Sequence, residues 1–436
     1  MDRLDIGLTG VALVLILTLI RVPIGVTLGV ISFVGIAAIT NLRAAWGMLT
    51  AVPFNYIGDW SLSAIPMFLL MGFIASYGGL TSGVFNGMRL LFGRAPGGLA
   101  CASVGASALF ASASGSSVAT AAAMSRIAVP EMLRARYDPA LATGSIAAAG
   151  TLGSLIPPSI LMILFGIFAQ VSIGELFVAG FIPGILSAAV YMAMIMTRSY
   201  LNPALGPPVR EKVSRAEGIR ILKDIWAFPL LVVAVLGGIF LGIFSPTEAG
   251  AVGAFLALVI SLARRGMKPA NLRQALIEAT ISTASIFIIV LGAALFTRFM
   301  ALSGVPAYFS DIMLSLAGDS TLLLILLIAV LFIVLGMFID GIGLMLLTLP
   351  IILPLLNAAD VNLIWFGIIV VKLLELGLIT PPVGLNVYVI KSSLGDKVPL
   401  SQIFKGAMWF MGMDLVTIGL LIAFPAIVLF LPSLMN

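Results

Sequence analysis

Histidine is absent from this chain of 436 residues, and cysteine occurs once, at Cys101. Without histidine the chain cannot form a histidine proton relay, a histidine-ligated metal centre or a Ser-His-Asp triad. A single cysteine excludes an internal disulfide and a cysteine-based metal cluster. Charged residues make up 9% of the sequence and hydrophobic residues 61%, whereas a soluble domain has about 25% charged residues. The composition therefore predicts a polytopic membrane protein, and no nucleophile–base set for an enzyme is visible.

The net charge of +5 would suggest a nucleic-acid partner in a soluble protein. In a membrane protein such an excess instead reflects Lys and Arg gathered in cytoplasmic loops. The first apolar run, at 4–20, has no clear small-x-small cleavage site, and a second apolar run follows almost at once. We therefore interpret the first run as a membrane span and not as a signal peptide.

Apolar segments of membrane-spanning length recur along the whole chain. About 20 apolar residues cross a bilayer, and this measure predicts crossings near 4–20, 22–40, 62–79, 138–168, 174–197, 226–244, 246–263, 274–297, 362–391 and 406–432. Residues 41–61 and 80–96 are interpreted as interfacial connections. The one long hydrophilic linker, at 199–224, divides the chain into two halves, 1–224 and 225–436.

Two polar breaks, each built around a Pro-Pro pair, interrupt corresponding crossings of the two halves. Pro157-Pro158 lies within 138–168 and Pro381-Pro382 within 362–391, at a spacing of 381 − 157 = 224 residues. A spacing near half the chain length indicates a duplicated unit. Paired Gly/Pro interruptions in corresponding halves are the best sequence indication of a secondary transporter's binding site.

Two further apolar segments, 97–131 and 320–356, break in the middle, at Ser112–Ser117 and at Asp340-Gly341. Each is about 35 residues long, which is too short for two full crossings at a rise of about 1.5 Å per residue. We therefore predict that both are re-entrant hairpins, formed by two half-helices that enter the membrane and turn back.

The distribution of basic residues predicts the orientation of these segments. Arg residues flank the first hairpin, and basic clusters occupy 199–224 and 264–268, whereas the loop at 357–362 has no Lys or Arg. Because Lys and Arg favour the cytoplasmic side, the first hairpin is predicted to open to the cytoplasm and the second to the periplasm. Each half then holds five crossings, so the two repeats are inverted and both termini are periplasmic.

The hairpin tips and the Pro-Pro breaks are the candidate cation sites, because exposed carbonyls and hydroxyls suit a hard cation such as Na⁺. The alternative is tight helix packing by small residues, which membrane interfaces favour. The candidate Na⁺ ligands are Ser114, Gly115, Ser116, Thr151, Gly153 and Pro157 in the first half, and Gly336, Asp340, Gly341, Gly377, Thr380 and Pro381 in the second.

Three of the acidic residues in or beside the apolar segments are assigned candidate roles. An intramembrane carboxylate is a functional hypothesis by default, and Asp340 is expected to ligate a cation, to cap the following half-helix or to pair with Lys372. Glu375 and Lys372, at i and i+3 positions, are predicted to form a structural ion pair. Glu248 is predicted to cap the N-terminus of its helix.

The half-helices that follow the two breaks point their positive dipole ends at the breaks, an arrangement suited to a substrate carboxylate. The candidate substrate-binding residues are Ser117, Thr120, Pro158, Ser159, Pro382, Gly384 and Asn386.

Together these motifs resemble the large membrane subunit of tripartite ATP-independent periplasmic (TRAP) transporters. Many relatives carry an Asp at the position of Thr120. The matching stretches are Arg21–Gly25, Ser114–Thr120, Gly153–Ser159, Ser245–Ala249, Leu335–Asp340 and Gly377–Asn386.

The resemblance implies a Na⁺-driven importer of the bacterial inner membrane that works by an elevator motion, with Na⁺ as coupling ion and no other cofactor. Its implied partners are a small four-helix membrane subunit and a periplasmic substrate-binding protein. Its implied substrates are organic acids, such as C4-dicarboxylates, sialic acid, keto acids and sugar acids. The alternatives are a stand-alone divalent-anion/Na⁺ symporter, which needs no binding protein, and a non-transporting membrane scaffold.

Overall fold

The computed structural model describes residues 2–80, 83–209, 218, 219, 221, 225–318 and 320–435. Within these ranges the regular structure is helical and no strand occurs, which confirms the predicted all-α class. Five basic residues of the linker between the halves lie outside the described residues, namely Arg210, Lys212, Arg215, Arg220 and Lys223.

The helices of the two halves follow a similar order. The first half contains α1 Arg3–Leu19, α2 Ile24–Ile39, α3 Leu42–Ile57, α4 Ala64–Tyr77, α5 Val84–Phe92, α6 Gly98–Ser114, α7 Ser117–Arg134, α8 Pro139–Leu155, α9 Ile160–Ala169 and α10 Ile173–Leu201. The second contains α11 Ala227–Phe240, α12 Pro246–Ala263, α13 Pro269–Ser303, α14 Val305–Ala317, α15 Thr321–Gly336, α16 Gly341–Ala358, α17 Leu363–Gly377, α18 Leu385–Leu394, α19 Leu400–Ala423 and α20 Ala426–Leu429.

Six described segments are long and apolar enough to cross a membrane, or seven when the pair α8 and α9, bent by 40°, counts as one span. The six are Trp60–Tyr77, α10, α12, α13, α16 and α19. Other expected crossings, such as α2 and α11, form helices of 16 and 14 residues. The chain is therefore a multi-pass membrane protein.

Short polar side chains begin many of these helices, because the first backbone N–H groups of a helix have no partner within the helix. Asp138 Oδ1 accepts a hydrogen bond of 2.9 Å from the Leu141 N–H, and Asn362 Oδ1 accepts one of 3.0 Å from the Trp365 N–H. The Glu248 carboxylate accepts a hydrogen bond of 2.8 Å from the backbone of Ser245. This contact completes a capping box and confirms the capping role predicted for Glu248.

Both predicted hairpin segments divide into two helices at the expected places. Helix α6 ends at Ser114 and α7 begins at Ser117, while α15 ends at Gly336 and α16 begins at Gly341. The re-entrant course of each pair within a bilayer stays a prediction.

Helix boundaries of the two halves recur at the spacing of 224 residues that separates the two Pro-Pro pairs. Helices α7 and α16 both have 18 residues and begin 341 − 117 = 224 positions apart. The packing is reciprocal as well, since α2 contacts α13 while α12 contacts α4, and α8 contacts α19 while α17 contacts α10. A difference occurs at α13, which is one helix of 35 residues where the first half has α3 and α4.

Helix α13 is longer than the crossing predicted at 274–297. At 1.5 Å per residue its 35 residues extend about 52 Å. Pro269 occupies its first turn, and the next strong breaker is Gly304, at φ 77°. The helix therefore continues through its polar first turns into the apolar segment.

A close helix crossing joins the two halves at Gly144 of α8 and Gly406 of α19. A Cβ atom on Gly406 would lie closer than 3.0 Å to the carbonyl oxygen of Ala140 and 3.1 Å from the Gly144 Cα. Small residues allow such backbone contact between membrane helices. The first broken helix is thus held against the last long helix of the other half.

Candidate functional site

A cavity of about 700 Å³ is lined by α4 and α13 and by the tips of the two hairpin segments. Residues of the two broken helices complete the lining. Of the predicted site residues, those that line it are Ser114, Gly115, Ser116, Ser117, Asp340 and Gly341. The lining also holds polar and charged residues that the sequence analysis did not assign to a site, namely Ser76, Tyr77, Arg126, Ser154, Glu278, Ser282, Ser285 and Glu375.

The first hairpin tip is built around Gly115, which adopts φ 58° between α6 and α7. The Ser114 and Thr120 hydroxyls are 2.8 Å apart, and Thr120 also donates a hydrogen bond of 2.8 Å to the Ser116 carbonyl. An added Cβ on Gly153 would lie 2.9 Å from that same carbonyl oxygen. The tip therefore contacts the helix before the first Pro-Pro break directly.

The second tip makes the equivalent contact with α17. A Cβ on Gly377 would lie closer than 3.0 Å to the Gly336 carbonyl oxygen. Asp340 caps α16, since its two carboxylate oxygens accept hydrogen bonds of 3.0 and 3.3 Å from the Gly343 N–H. The predicted cap is thus confirmed, and the cation role of Asp340 stays a prediction.

The expected ion pair between Lys372 and Glu375 is wrong, and so is the pairing of Lys372 with Asp340. The Lys372 ammonium instead pairs with the carboxylate of Asp414 on α19. It also lies 3.2 Å from the Tyr191 hydroxyl, which donates a hydrogen bond to the same carboxylate. Neighbouring positions on one helix did not decide the pairing, because packing places α19 and α10 against this face of α17.

Glu375 points to the first hairpin tip. Its carboxylate accepts a hydrogen bond of 2.5 Å from the Ser117 hydroxyl, which lies 3.0 Å from the Ser154 hydroxyl. Glu375 is 1% exposed and, within the described ranges, forms no ion pair. One contact therefore joins α7, α8 and α17 at the edge of the cavity.

The other predicted polar residues are buried and engage neighbouring helical backbone. The Thr151 hydroxyl donates a 2.6 Å bond to the Ala148 carbonyl, and Thr380 donates one of equal length to the Leu376 carbonyl. Ser159 caps α9 by accepting a hydrogen bond of 3.4 Å from the Met162 N–H. None of these three lies among the cavity-lining residues.

Asn386 and the residues of the two breaks complete the predicted set. Asn386 donates a 3.1 Å hydrogen bond to the Ala147 carbonyl, and its side-chain oxygen is buried without a partner in the described part of the chain. Helix α18 begins at Leu385, three residues after Pro382, and Gly384 precedes it at φ 56°. The structure places outside the cavity lining Gly153, Pro157, Pro158, Gly336, Gly377, Pro381, Pro382, Gly384, Thr120 and Asn386.

The lining carries more acidic than basic groups. Glu278 accepts a hydrogen bond of 2.5 Å from the Tyr77 hydroxyl, which links α13 to α4. Asp340 and Glu375 add two further carboxylates, and the basic lining residue is Arg126. A cavity lined by three carboxylates and one guanidinium suits a cation. The guanidinium of Arg126 offers one contact for an anion.

Comparisons with known proteins match nearly the whole chain. Residues 11–427 match the family model described as the DctM component of the tripartite ATP-independent periplasmic transporter. The chain is similar to the sialic acid TRAP transporter permease protein SiaT of Haemophilus influenzae, at 32% identity over 100% of this chain and 70% of that protein. It is also similar to the C4-dicarboxylate TRAP transporter large permease protein DctM of Pseudomonas aeruginosa, at 35% identity over 87% of this chain and 88% of that protein.

The chain is also similar to solved structures, and at low sequence identity this similarity bears only on the fold. The YdaH transporter of Alcanivorax borkumensis superposes with a TM-score of 0.62 over 88% of this chain and 89% of that chain, at 16% sequence identity.

Proposed function

We propose that this chain, which belongs to the DctM component family of tripartite ATP-independent periplasmic transporters, couples the entry of Na⁺ to the import of an organic acid. As a member of that family it is a membrane transport component and not an enzyme. The observation that carries the proposal is the shared cavity, whose lining includes hydroxyls of the first hairpin tip, the Asp340 carboxylate of the second and the Arg126 guanidinium. Oxygen atoms are the ligands of a hard cation, and Arg126 offers a bidentate contact for a substrate carboxylate.

The proposed assembly has three parts. Relatives of this chain are named as large permease proteins of TRAP transporters, and we infer a separate small four-helix membrane subunit and a periplasmic substrate-binding protein as partners. The chain would lie in the bacterial inner membrane with both termini in the periplasm, as its basic loops predict.

The proposed motion is that of an elevator. The recurrence of helix bounds at 224 positions and the reciprocal helix packing support two repeats, at 1–224 and 225–436. Close backbone contacts hold each hairpin tip against the broken helix of its own half, at Gly153 and at Gly377. Hairpins and broken helices joined in this way would move as one body past α4 and α13, which line the opposite wall of the cavity.

Uptake into proteoliposomes tests this function. The chain is reconstituted with the small subunit, and the binding protein is added with a radiolabelled substrate, chosen by screening organic acids for thermal stabilisation of the binding protein. We expect uptake to require an inward Na⁺ gradient, with Li⁺ and K⁺ as poor substitutes and a proton gradient alone ineffective. Strong uptake in Na⁺-free buffer would contradict Na⁺ coupling, and uptake without the binding protein would favour a stand-alone symporter.

The Asp340→Asn variant separates a cation role from helix capping. Asparagine is also a good N-cap residue, so α16 keeps its cap while the cavity loses a carboxylate. We expect the Na⁺ concentration for half-maximal uptake to rise about tenfold, which corresponds to about 1.4 kcal/mol of binding free energy. Initial uptake rates against Na⁺ concentration measure the effect.

Asp138→Asn is the matched control, since Asp138 caps α8 in the same way and does not line the cavity. We expect this variant to keep the wild-type Na⁺ dependence. An Asp340→Asn protein that inserts, purifies and shows unchanged Na⁺ dependence would restrict Asp340 to capping.

A further inference from the structure

Lys372 and Glu375 lie one turn apart on α17, where side chains at i and i+3 are neighbours. Their Cβ atoms are about 5–6 Å apart at that spacing, close enough for opposite charges to pair. They nevertheless take different partners, Asp414 for Lys372 and Ser117 for Glu375. The structure thus separates two charges that an isolated helix would bring together.

The separation depends on groups outside α17. Asp414 is 0% exposed and Lys372 is 1% exposed, so neither charge has water as an alternative partner. Tyr191 donates a hydrogen bond to the Asp414 oxygen that contacts Lys372, which fixes that oxygen in place. The other Asp414 oxygen has no partner among the described residues. The Asp414 carboxylate therefore lies against the face of α17 that carries Lys372.

We propose that Asp414 is a positioning residue for Glu375. By holding Lys372 against α19, Asp414 keeps the ammonium away from the Glu375 carboxylate. Glu375 then faces the cavity with hydroxyl partners, from Ser117 and through it Ser154, and its charge remains available to a cation. This inference rests on the proposed function for its effect on transport, while the pairing itself is a property of the fold.

The Asp414→Asn variant is expected to change the partner of Lys372. Without the Asp414 charge, Lys372 is a buried ammonium without a counter-charge, and a buried charge that loses its partner is strongly unfavourable. Glu375 is the acidic residue nearest along α17. Lys372 therefore turns to Glu375, which leaves Ser117 and is neutralised.

The test is a rescue experiment on Na⁺-dependent uptake with four variants. Asp414→Asn and Glu375→Gln should each raise the half-saturating Na⁺ concentration about tenfold, and Lys372→Met added to Asp414→Asn should return it to within about threefold of wild type. Lys372→Met added to Glu375→Gln should restore nothing. Glu248→Gln, an acid-to-amide change at an exposed helix cap, is the control and should leave the Na⁺ dependence unchanged.

A purely structural tie between α17 and α19 predicts that Asp414→Asn lowers the thermal stability while the Na⁺ dependence of the folded fraction stays that of wild type, because a lone buried ammonium destabilises the fold. An Asp414→Asn protein that is destabilised but keeps the wild-type half-saturating Na⁺ concentration would overturn the proposal. Failure of Lys372→Met to restore the Na⁺ dependence of Asp414→Asn would overturn it as well.

Thermal unfolding in detergent provides a readout that does not depend on transport. A double-mutant cycle between Lys372→Met and Glu375→Gln measures their coupling. We expect little coupling in the wild-type background and a clear coupling in the Asp414→Asn background, where the new pair forms. Absence of coupling there would refute the exchange of partners. Coupling without any change in Na⁺ dependence would support the exchange and refute the Na⁺ role of this site.

Discussion

Gly406→Ala is expected to destabilise the protein by about 3 kcal/mol, at the upper end of the range for overpacking. The added methyl group would lie closer than 3.0 Å to the Ala140 carbonyl oxygen of α8. The methyl group would clash with backbone atoms, which cannot move aside by a change of rotamer. Helices α8 and α19 must therefore move apart where they contact each other. Thermal unfolding in detergent, followed by the fraction that remains monodisperse, measures the loss.

Two glycines of the same helix provide matched controls. Gly412 and Gly419 have no atom within 4 Å of an added Cβ, and alanine is about 1 kcal/mol better than glycine inside a helix. We expect Gly412→Ala and Gly419→Ala to melt at or above the wild-type temperature. A Gly406→Ala protein that melts with these controls would show that α8 and α19 are not packed backbone to backbone.

Membrane voltage is expected to change substrate accumulation by a large factor. If each half binds one Na⁺, a monocarboxylate enters with a net charge of +1 and gains about 2.3 kcal/mol per 100 mV. That energy corresponds to roughly 50-fold accumulation, since 1.4 kcal/mol is a factor of ten. Proteoliposomes with a valinomycin-set potential, inside negative, measure the effect.

A dicarboxylate is the control for this experiment. With two Na⁺ ions its transport is electroneutral, so its accumulation should not depend on the potential. If uptake of a monocarboxylate is indifferent to voltage, the stoichiometry of two Na⁺ is refuted. Voltage-driven uptake of a dianion would instead require a third cation.

Features that depend on local chemistry were predictable from the sequence. Paired prolines and a glycine at positive φ interrupt helices, so the breaks at Pro157-Pro158 and Pro381-Pro382 and the gap at Gly115 appear where the pattern places them, whereas single prolines such as Pro130 and Pro183 lie inside continuous helices. Short polar side chains cap helices through bonds to residues three positions away, and that rule gave the capping role of Glu248 and one of the three alternatives considered for Asp340. Such signals lie within a few residues of their effect.

Contacts between distant helices were not predictable in the same way. Glu375 contacts Ser117, which is 258 positions away, and Tyr191 contacts Asp414, which is 223 positions away. No pattern in the sequence of α17 indicates that Lys372 contacts α19 while Glu375 contacts α7. Asp414 did carry a usable signal, because it is an acidic residue inside an apolar segment of membrane-spanning length. A lone acid and a lone base in separate spans would have been a better candidate pair than two neighbours on one helix.

The contact between Gly144 and Gly406 also has a consequence for how the nascent chain matures. The ribosome must add 406 − 144 = 262 residues after Gly144 before the partner of this face of α8 exists. At about 5–20 residues per second this takes roughly 13–50 s. During that interval the first broken helix is in the insertion machinery or the lipid with its small-residue face uncovered. Completion of the final long helix is therefore the event that closes the structure, and a chain truncated before residue 400 would leave this face open to non-native helices.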